Sequence, residues 1–288
     1  MNTVDFFGHK VSKLIVGDNP FNGHSYITDK TPGTEMRDWY TSGRILDTLF
    51  AIEDSGINTM LPLSDPFIVR LLGEYERAGG KMQWIWQPVG SVLEAVNLRN
   101  VMSLKNTIGI YHQGTTTDFL FETGRTNEIV ERIQRFKEGT GIHVGVGTHR
   151  PDVIETSEKD DWGADFYLAC MYNARRNREG VESGFITGKS KQGLQFRMDD
   201  RQIMLDTLKK VEKPVVAFKI FAGGQMFLNR TPEEIRTNIK DAYNTIFTAL
   251  KPNDFAAFGV FQRDKNELAE DVEVYEEWYR ENQQGENA

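Results

Sequence analysis

Side chains able to do chemistry gather at the ends of short apolar runs in this chain. Asp18, Asn19 and His24 follow residues 13–16. Trp84, Trp86 and Gln87 end the run that starts at residue 82. Tyr111, His112 and Gln113 end the run 108–112, and His149 and Arg150 follow 143–146. Tyr172 and Asn173 follow 166–171, and Lys219 closes 215–219. Imidazoles titrate close to neutral pH, so His112 and His149 are acid–base candidates. Together with Asp18 they also have the chemistry of a divalent-metal ligand set. No HxH or HExxH spacing occurs, so the metal reading stands beside acid–base or purely structural histidines. Lys219 has two readings as well. It can form a Schiff base or act as a base if burial depresses its pKa, or, more plainly, pair with an anion. Trp84 and Trp86 are two residues apart and share one side of a strand, lining a pocket or filling core.

These positions share one end of the fold only if the apolar runs are strands with helices between them. The run 13–16 leads to a helical pattern over 45–55, 58–61 to 66–78, and 82–86 to 91–98. The run 108–112 leads to 127–138, where Ile129, Val130, Ile133 and Phe136 recur at helical spacing. The run 143–146 leads to 151–157, 166–171 to 201–211, 215–219 to 231–250, and 256–260 to 265–279. Thr231-Pro-Glu-Glu234 has the form of an N-cap with proline at N1 and glutamate at N3. Eight strand–helix units in about 250 residues predict a single (β/α)8 TIM barrel over 1–288. Residues 3–12 form a predicted hairpin that caps the barrel floor. The long irregular stretch 174–200 follows the sixth strand and is expected to be an active-site lid. Within it, Gly184–Ser190 has the composition of a phosphate loop. It has only three residues between its glycines and no preceding strand, and is rejected as one.

Composition limits the partners. The 288 residues are 39% hydrophobic, as expected of a folded domain, and carry 34 basic against 42 acidic side chains. The resulting charge of −8 disfavours nucleic acid. One cysteine, Cys170, rules out an intrachain disulfide and a cysteine-cluster metal site. No apolar run is long enough to predict a membrane span, and the first ten residues lack a basic-then-apolar leader. The expectation is a cytoplasmic protein, with prior removal of a leader left open. Oligomeric state is not legible.

Several segments together resemble the aldo/keto reductase family, bacterial members above all. Residues 7–17 are similar to its N-terminal hairpin and first strand, and Gly56-Ile-Asn-Thr-Met60 to the start of its second strand. Residues 145–154 resemble its fifth strand and following helix, and Tyr172-Asn173 the end of its sixth. Residues 213–224 resemble strand seven with its glycine-rich turn. Gly259 with residues 268–272 resembles the eighth strand and the cofactor-supporting helix. The resemblance implies the barrel and an NADPH site. It also implies a tetrad of which only the histidine, His112, is kept. Leu61, the vicinity of Pro66, and Gln87 stand where the aspartate, tyrosine and lysine belong. Gly147-Thr148 replaces the nicotinamide-binding serine–asparagine pair, and Ala169 the glutamine, while Phe218 matches the stacking aromatic.

The expectation is therefore an enzyme that has left hydride transfer. Its substrate is a sugar or similar polyhydroxy carbonyl compound, handled by non-redox elimination, isomerisation or hydrolysis. His112, His149 and Lys219 are the catalytic candidates. Asp18, Asn19, His24, Trp86, Gln87, Tyr111, Gln113, Arg150, Tyr172 and Asn173 are the substrate-binding ones. No cofactor, or a divalent metal on His112, His149 and Asp18, is expected. An NADPH-dependent reductase using Tyr111 as proton donor and a non-catalytic ligand-binding barrel are the alternatives.

Overall fold

The computed structural model describes residues 1–88, 93–181 and 194–286. Most of the predicted lid centre, including the rejected phosphate loop, lies outside them. Eight parallel strands close a barrel: β3 (Leu14–Gly17), β4 (Thr59–Leu61), β5 (Gln83–Trp86), β6 (Thr107–His112), β7 (His143–Thr148), β8 (Phe166–Cys170), β9 (Val215–Phe218) and β10 (Phe255–Phe258). They are hydrogen-bonded in chain order, with β10 pairing back to β3. The fold is a (β/α)8 TIM barrel.

The hairpin β1 (Thr3–Phe6) and β2 (His9–Ser12) precedes it. Its two-residue turn places Phe7 and Gly8 at φ 52° and 86°, the left-handed twist that a tight hairpin requires. Phe6 is fully buried edge-on against Phe166 and Phe255, and Phe7 stacks on His143 at 3.7 Å between ring centroids. Both contacts close the barrel at the N-terminal ends of the strands.

Strand parity decides what the site can contain. Ile15, Leu61, Ile85, Phe166, Leu168 and Val216 fill the barrel interior. Their neighbours Leu14, Val16, Trp84, Trp86, Ile110, Val144 and Val146 belong to the core between barrel and helices. The Cβ of any residue but glycine at position 145 would lie 2.5 Å from the Phe166 ring, so Gly145 makes room for the interior layer.

The helices are α1 (Gly33–Trp39), α2 (Ser42–Asp54), α3 (Pro66–Arg77), α4 (Glu94–Val101), α5 (Gly114–Glu122), α6 (Thr126–Thr140), α7 (Pro151–Lys159), α8 (Met198–Leu208), α9 (Pro232–Ala249) and α10 (Glu267–Glu286). The capping box at α9 is formed: Thr231 Oγ1 accepts from the Glu234 amide, and Glu234 Oε2 accepts from the Thr231 amide. Two helices were not expected from the sequence, α1 and α5. The second opens Gly-Thr-Thr-Thr, a run of poor helix formers, and Gln113 caps it through the Thr116 amide. No helix among the described residues is long and apolar enough to cross a membrane.

Candidate active site

A cavity of about 550 Å³ opens at the C-terminal ends of the strands. Asp18, Asn19, His24, Gln87, Tyr111, Gln113, His149 and Lys219 line it, as does Phe218. Parity explains Gln87, Tyr111, Gln113, His149 and Phe218; Asp18 and Lys219 lie one residue past β3 and β9, where the strand alternation no longer holds. Gln87 continues the inward series of Ile85, Tyr111 and Gln113 lie on the inward face of β6, and His149 follows Gly145 and Gly147 on that of β7.

His149 is held from both sides. Its Nδ1 lies 2.8 Å from Asp118 Oδ2 and its Nε2 3.0 Å from Lys219 Nζ. Asp118 is fully buried on α5 and also accepts from Thr148 Oγ1 at 2.5 Å and from the His149 amide at 3.2 Å. Burial works against the Lys219 ammonium. Tyr26, Cys170 and Asp118 outweigh it, and Lys219 is raised above the ordinary lysine range. An ammonium has no acceptor site, so His149 Nε2 accepts from it and Nδ1 carries the proton donated to Asp118. The result is a carboxylate–imidazole–ammonium chain that ends in the cavity. Lys219 lies over the rings of Phe218 (4.6 Å) and Tyr26 (5.1 Å). Its φ of 58° is left-handed, an uncommon conformation for a residue with a side chain, and it turns the chain sharply at the end of β9.

Asp18 is a second titrating group in the cavity. Its Oδ2 accepts from the Leu63 amide at 2.6 Å and from Asn22 Nδ2 at 2.7 Å. Burial outweighs these bonds and raises its pKa to about 7. Tyr111 donates to Gln87 Oε1 at 2.7 Å; burial, with the Asp18 charge nearby, raises its pKa well above the ordinary tyrosine value.

Other expected residues lie elsewhere. His112 is 1% exposed and faces the helix layer. Its Nδ1 lies 2.7 Å from Thr117 Oγ1, its Nε2 3.4 Å from an Arg132 nitrogen, and burial lowers its pKa to about 3. The expected mouth-facing ring is thus corrected: Tyr111 takes the inward position, so its neighbour must point outward. Trp86 fails for the same reason beside Gln87 and donates to Thr107 Oγ1. Arg150 is committed to Glu122 and Asp152, and Tyr172 packs under Phe196. Asn173 accepts from the Arg175 amide, while its own amide donates to Asp200. None of these five lines the cavity. The metal set His112, His149 and Asp18 does not assemble, because His112 is on the wrong face and both nitrogens of His149 are engaged. Among the described residues no group of three or more such donors is placed to hold an ion. Sequence reasoning missed Asp118 and Tyr26. Asp118 follows β6 by one helical turn and more, a signal visible only once α5 is recognised as a helix.

The cavity also runs sideways between the loops after β9 and β10, reaching Phe221, Phe227, Phe261, Glu267 and Asp271. Four carboxyl side chains, Asp264, Glu267, Glu270 and Asp271, stand here beside Lys265, itself paired with Glu270; Lys219, Arg175 and Arg178 also line the cavity. Arg263 is bound to Asp264 and Glu35. The phosphates of a nicotinamide dinucleotide would meet four carboxyl groups along this stretch, beside cations already paired with carboxylates, which is a poor match for that group.

No family model matches the chain, and no curated protein is significantly similar in sequence. Solved structures share its fold. An aldo-keto reductase from Bacillus halodurans in its holo form superposes with a TM-score of 0.54 at 10% identity, over 96% of this chain and 95% of that one. A truncated 3-deoxy-D-arabino-heptulosonate 7-phosphate synthase from Thermotoga maritima gives 0.53 at 11% identity, over 98% and 91%. A dihydropteroate synthase from Xanthomonas albilineans gives 0.50 at 11% identity, over 97% and 98%. These likenesses concern the barrel and do not single out the reductase among the three.

Proposed function

We propose that the protein is a non-redox acid–base enzyme acting on a sugar-like polyhydroxy carbonyl compound, as an isomerase or a lyase. The observation that carries this reading is the Asp118–His149–Lys219 chain ending in the same cavity as Asp18. Two titrating groups with separated proton affinities are what proton abstraction beside a carbonyl needs. The Asp18 carboxylate removes the proton on the carbon next to the carbonyl. The Lys219 ammonium stabilises the enediolate oxygen that results. The proton then returns from Asp18 to the neighbouring carbon while the hydroxyl proton on the other oxygen passes to the enediolate oxygen, giving the isomer, or the β-hydroxyl takes the proton from Asp18 and leaves as water, giving the dehydrated product. Neither outcome changes the overall oxidation state. Asn19, His24, Gln87 and Gln113 supply donors and acceptors for hydroxyl groups. His149 and Asp118 position Lys219 and keep its charge.

A panel of aldoses, ketoses, sugar acids and their phosphates, incubated with the protein in D₂O and followed by ¹H NMR, tests the reading. Loss of the signal next to the carbonyl, or a new isomer or dehydration product, is the expected result. NADPH oxidation with a carbonyl compound and no such exchange would support the reductase using Tyr111. Binding of a sugar with neither change would support the ligand-binding barrel.

A further inference from the structure

The side arm of the cavity has a composition unlike the mouth. Its walls are aromatic: Phe221 and Phe227 lie 5.5 Å apart between centroids, and Phe261 packs against Tyr40 at 5.8 Å. Carboxyl groups sit within these walls. Glu267 accepts from the Phe261 amide at 2.6 Å through Oε2. Asp271 is 5% exposed and lines the cavity, yet among the described residues its carboxyl group has neither a hydrogen-bond donor nor an ion-pair partner. Tyr243, which faces it from α9, donates to the backbone carbonyl of Asp271. Lys265, the cation that acts on the Asp271 carboxyl, is paired with Glu270. A buried carboxyl without a partner is expensive to keep. Aromatic faces beside acidic oxygens are the surroundings in which organic cations bind.

We propose that this arm is a binding site for an organic cation, an alkylammonium or alkylguanidinium group, with Asp271 as its main counter-charge and Phe221, Phe227 and Phe261 as its walls. The site shares one continuous cavity with Lys219. If one molecule fills both arm and mouth, the substrate is a polyhydroxy compound bearing a basic group, and that extension rests on the function proposed above. Burial raises the carboxyl groups of Asp271, well above the ordinary carboxylate range, and Glu267, to about 7. Glu267 and Glu270 push the Asp271 carboxyl further up and Lys265 pulls it down. Cation binding should therefore release a proton.

The probes are n-butylammonium and n-butylguanidinium, with 1-butanol and butyrate as neutral and anionic controls, titrated into the whole protein by calorimetry and ligand-observed NMR. Both cations are expected to bind at least tenfold more tightly than the controls. Their affinity should rise between pH 6 and 9, with heats that depend on the buffer's ionisation enthalpy. Asp271→Asn should weaken the cations tenfold or more, and Asp271→Glu should retain part of the affinity; thermal melts of both variants confirm folding. Cations binding no better than butanol, or unaffected by Asp271→Asn, would overturn the proposal, as would tight binding of NADPH that displaces them. Lys219→Met protein should still bind the cations, so loss of α-proton exchange and loss of cation binding separate the two readings.

Discussion

Lys219 Nζ lies 3.0 Å from Nε2 of His149, and the other nitrogen of that ring is taken by Asp118. This arrangement fixes the tautomer of a neutral imidazole and points its acceptor at an ammonium. Asp118→Asn should break the assignment, because an amide can offer a donor where the carboxylate only accepts. With ¹⁵N-labelled protein, wild type is expected to show the His149 proton on Nδ1, and the variant a mixture or the Nε2 form. Turnover should fall by about a hundredfold or more, as for a misoriented acid–base group.

His112→Ala should leave turnover within about twofold of wild type, since the ring is buried in the helix layer and does not line the cavity. It should cost stability instead, on the order of 1–3 kcal/mol, by emptying the space of a buried ring and removing its hydrogen bond to Thr117, whose hydroxyl keeps its bond to the Gln113 carbonyl. Urea unfolding gives the number. The pH dependence has a definite sign. Folded His112 takes its proton only near pH 3, while the unfolded chain takes it at the ordinary histidine value, so this residue destabilises the fold progressively as pH falls below about 6.5. His112→Gln should flatten that limb, and an unchanged slope would count against the burial assigned to it.

Asp18 acts in the opposite direction. Its folded pKa of about 7 lies above the unfolded value, so its contribution is fully present below about pH 4 and is lost as pH rises through 7. Asp18→Asn should gain stability relative to wild type across that window, on the order of a few kcal/mol at pH 8. In exchange the variant should lose activity. A wild-type rate that rises with pH through a midpoint near 7 is the matching kinetic signature.

Gly145→Ala tests the barrel interior. The added Cβ falls 2.5 Å from the Phe166 ring, which is itself held edge-on by Phe6. Overpacking of this kind costs about 1–3 kcal/mol. The melting temperature should drop, and Phe166→Leu in the same chain should recover part of the loss.

Much of the architecture was readable because each buried strand is a continuous apolar run between helical patterns, as in Ile108–Tyr111 before Ile129, Ile133 and Phe136. The hairpin and the Thr231 cap were readable for local reasons of turn and capping chemistry. The site was only half legible. Grouping Tyr111 with His112, and Trp86 with Gln87, put adjacent residues on one face, which the two-residue period of a strand forbids. Applying the period would have kept Tyr111 and Gln87 and turned His112 and Trp86 outward. Asp118 was invisible for a different reason. Gly114-Thr-Thr-Thr117 has weak intrinsic helix preference, and its helix exists because Gln113 caps it and β7 packs against it. A carboxylate that acts through tertiary packing leaves no spacing motif behind.

In the function proposed above, Lys219 and Asp18 carry acid–base chemistry in one cavity and His112 does not. The rate of hydrogen–deuterium exchange next to the carbonyl of the best compound in the panel tests it most directly, compared across wild type, Lys219→Met, Asp18→Asn and His112→Ala. Exchange in wild type and His112→Ala, with a loss of about a hundredfold or more in the other two, is the result expected of general acid–base groups. Undiminished exchange in Lys219→Met or Asp18→Asn, or its loss in His112→Ala alone, would contradict the account.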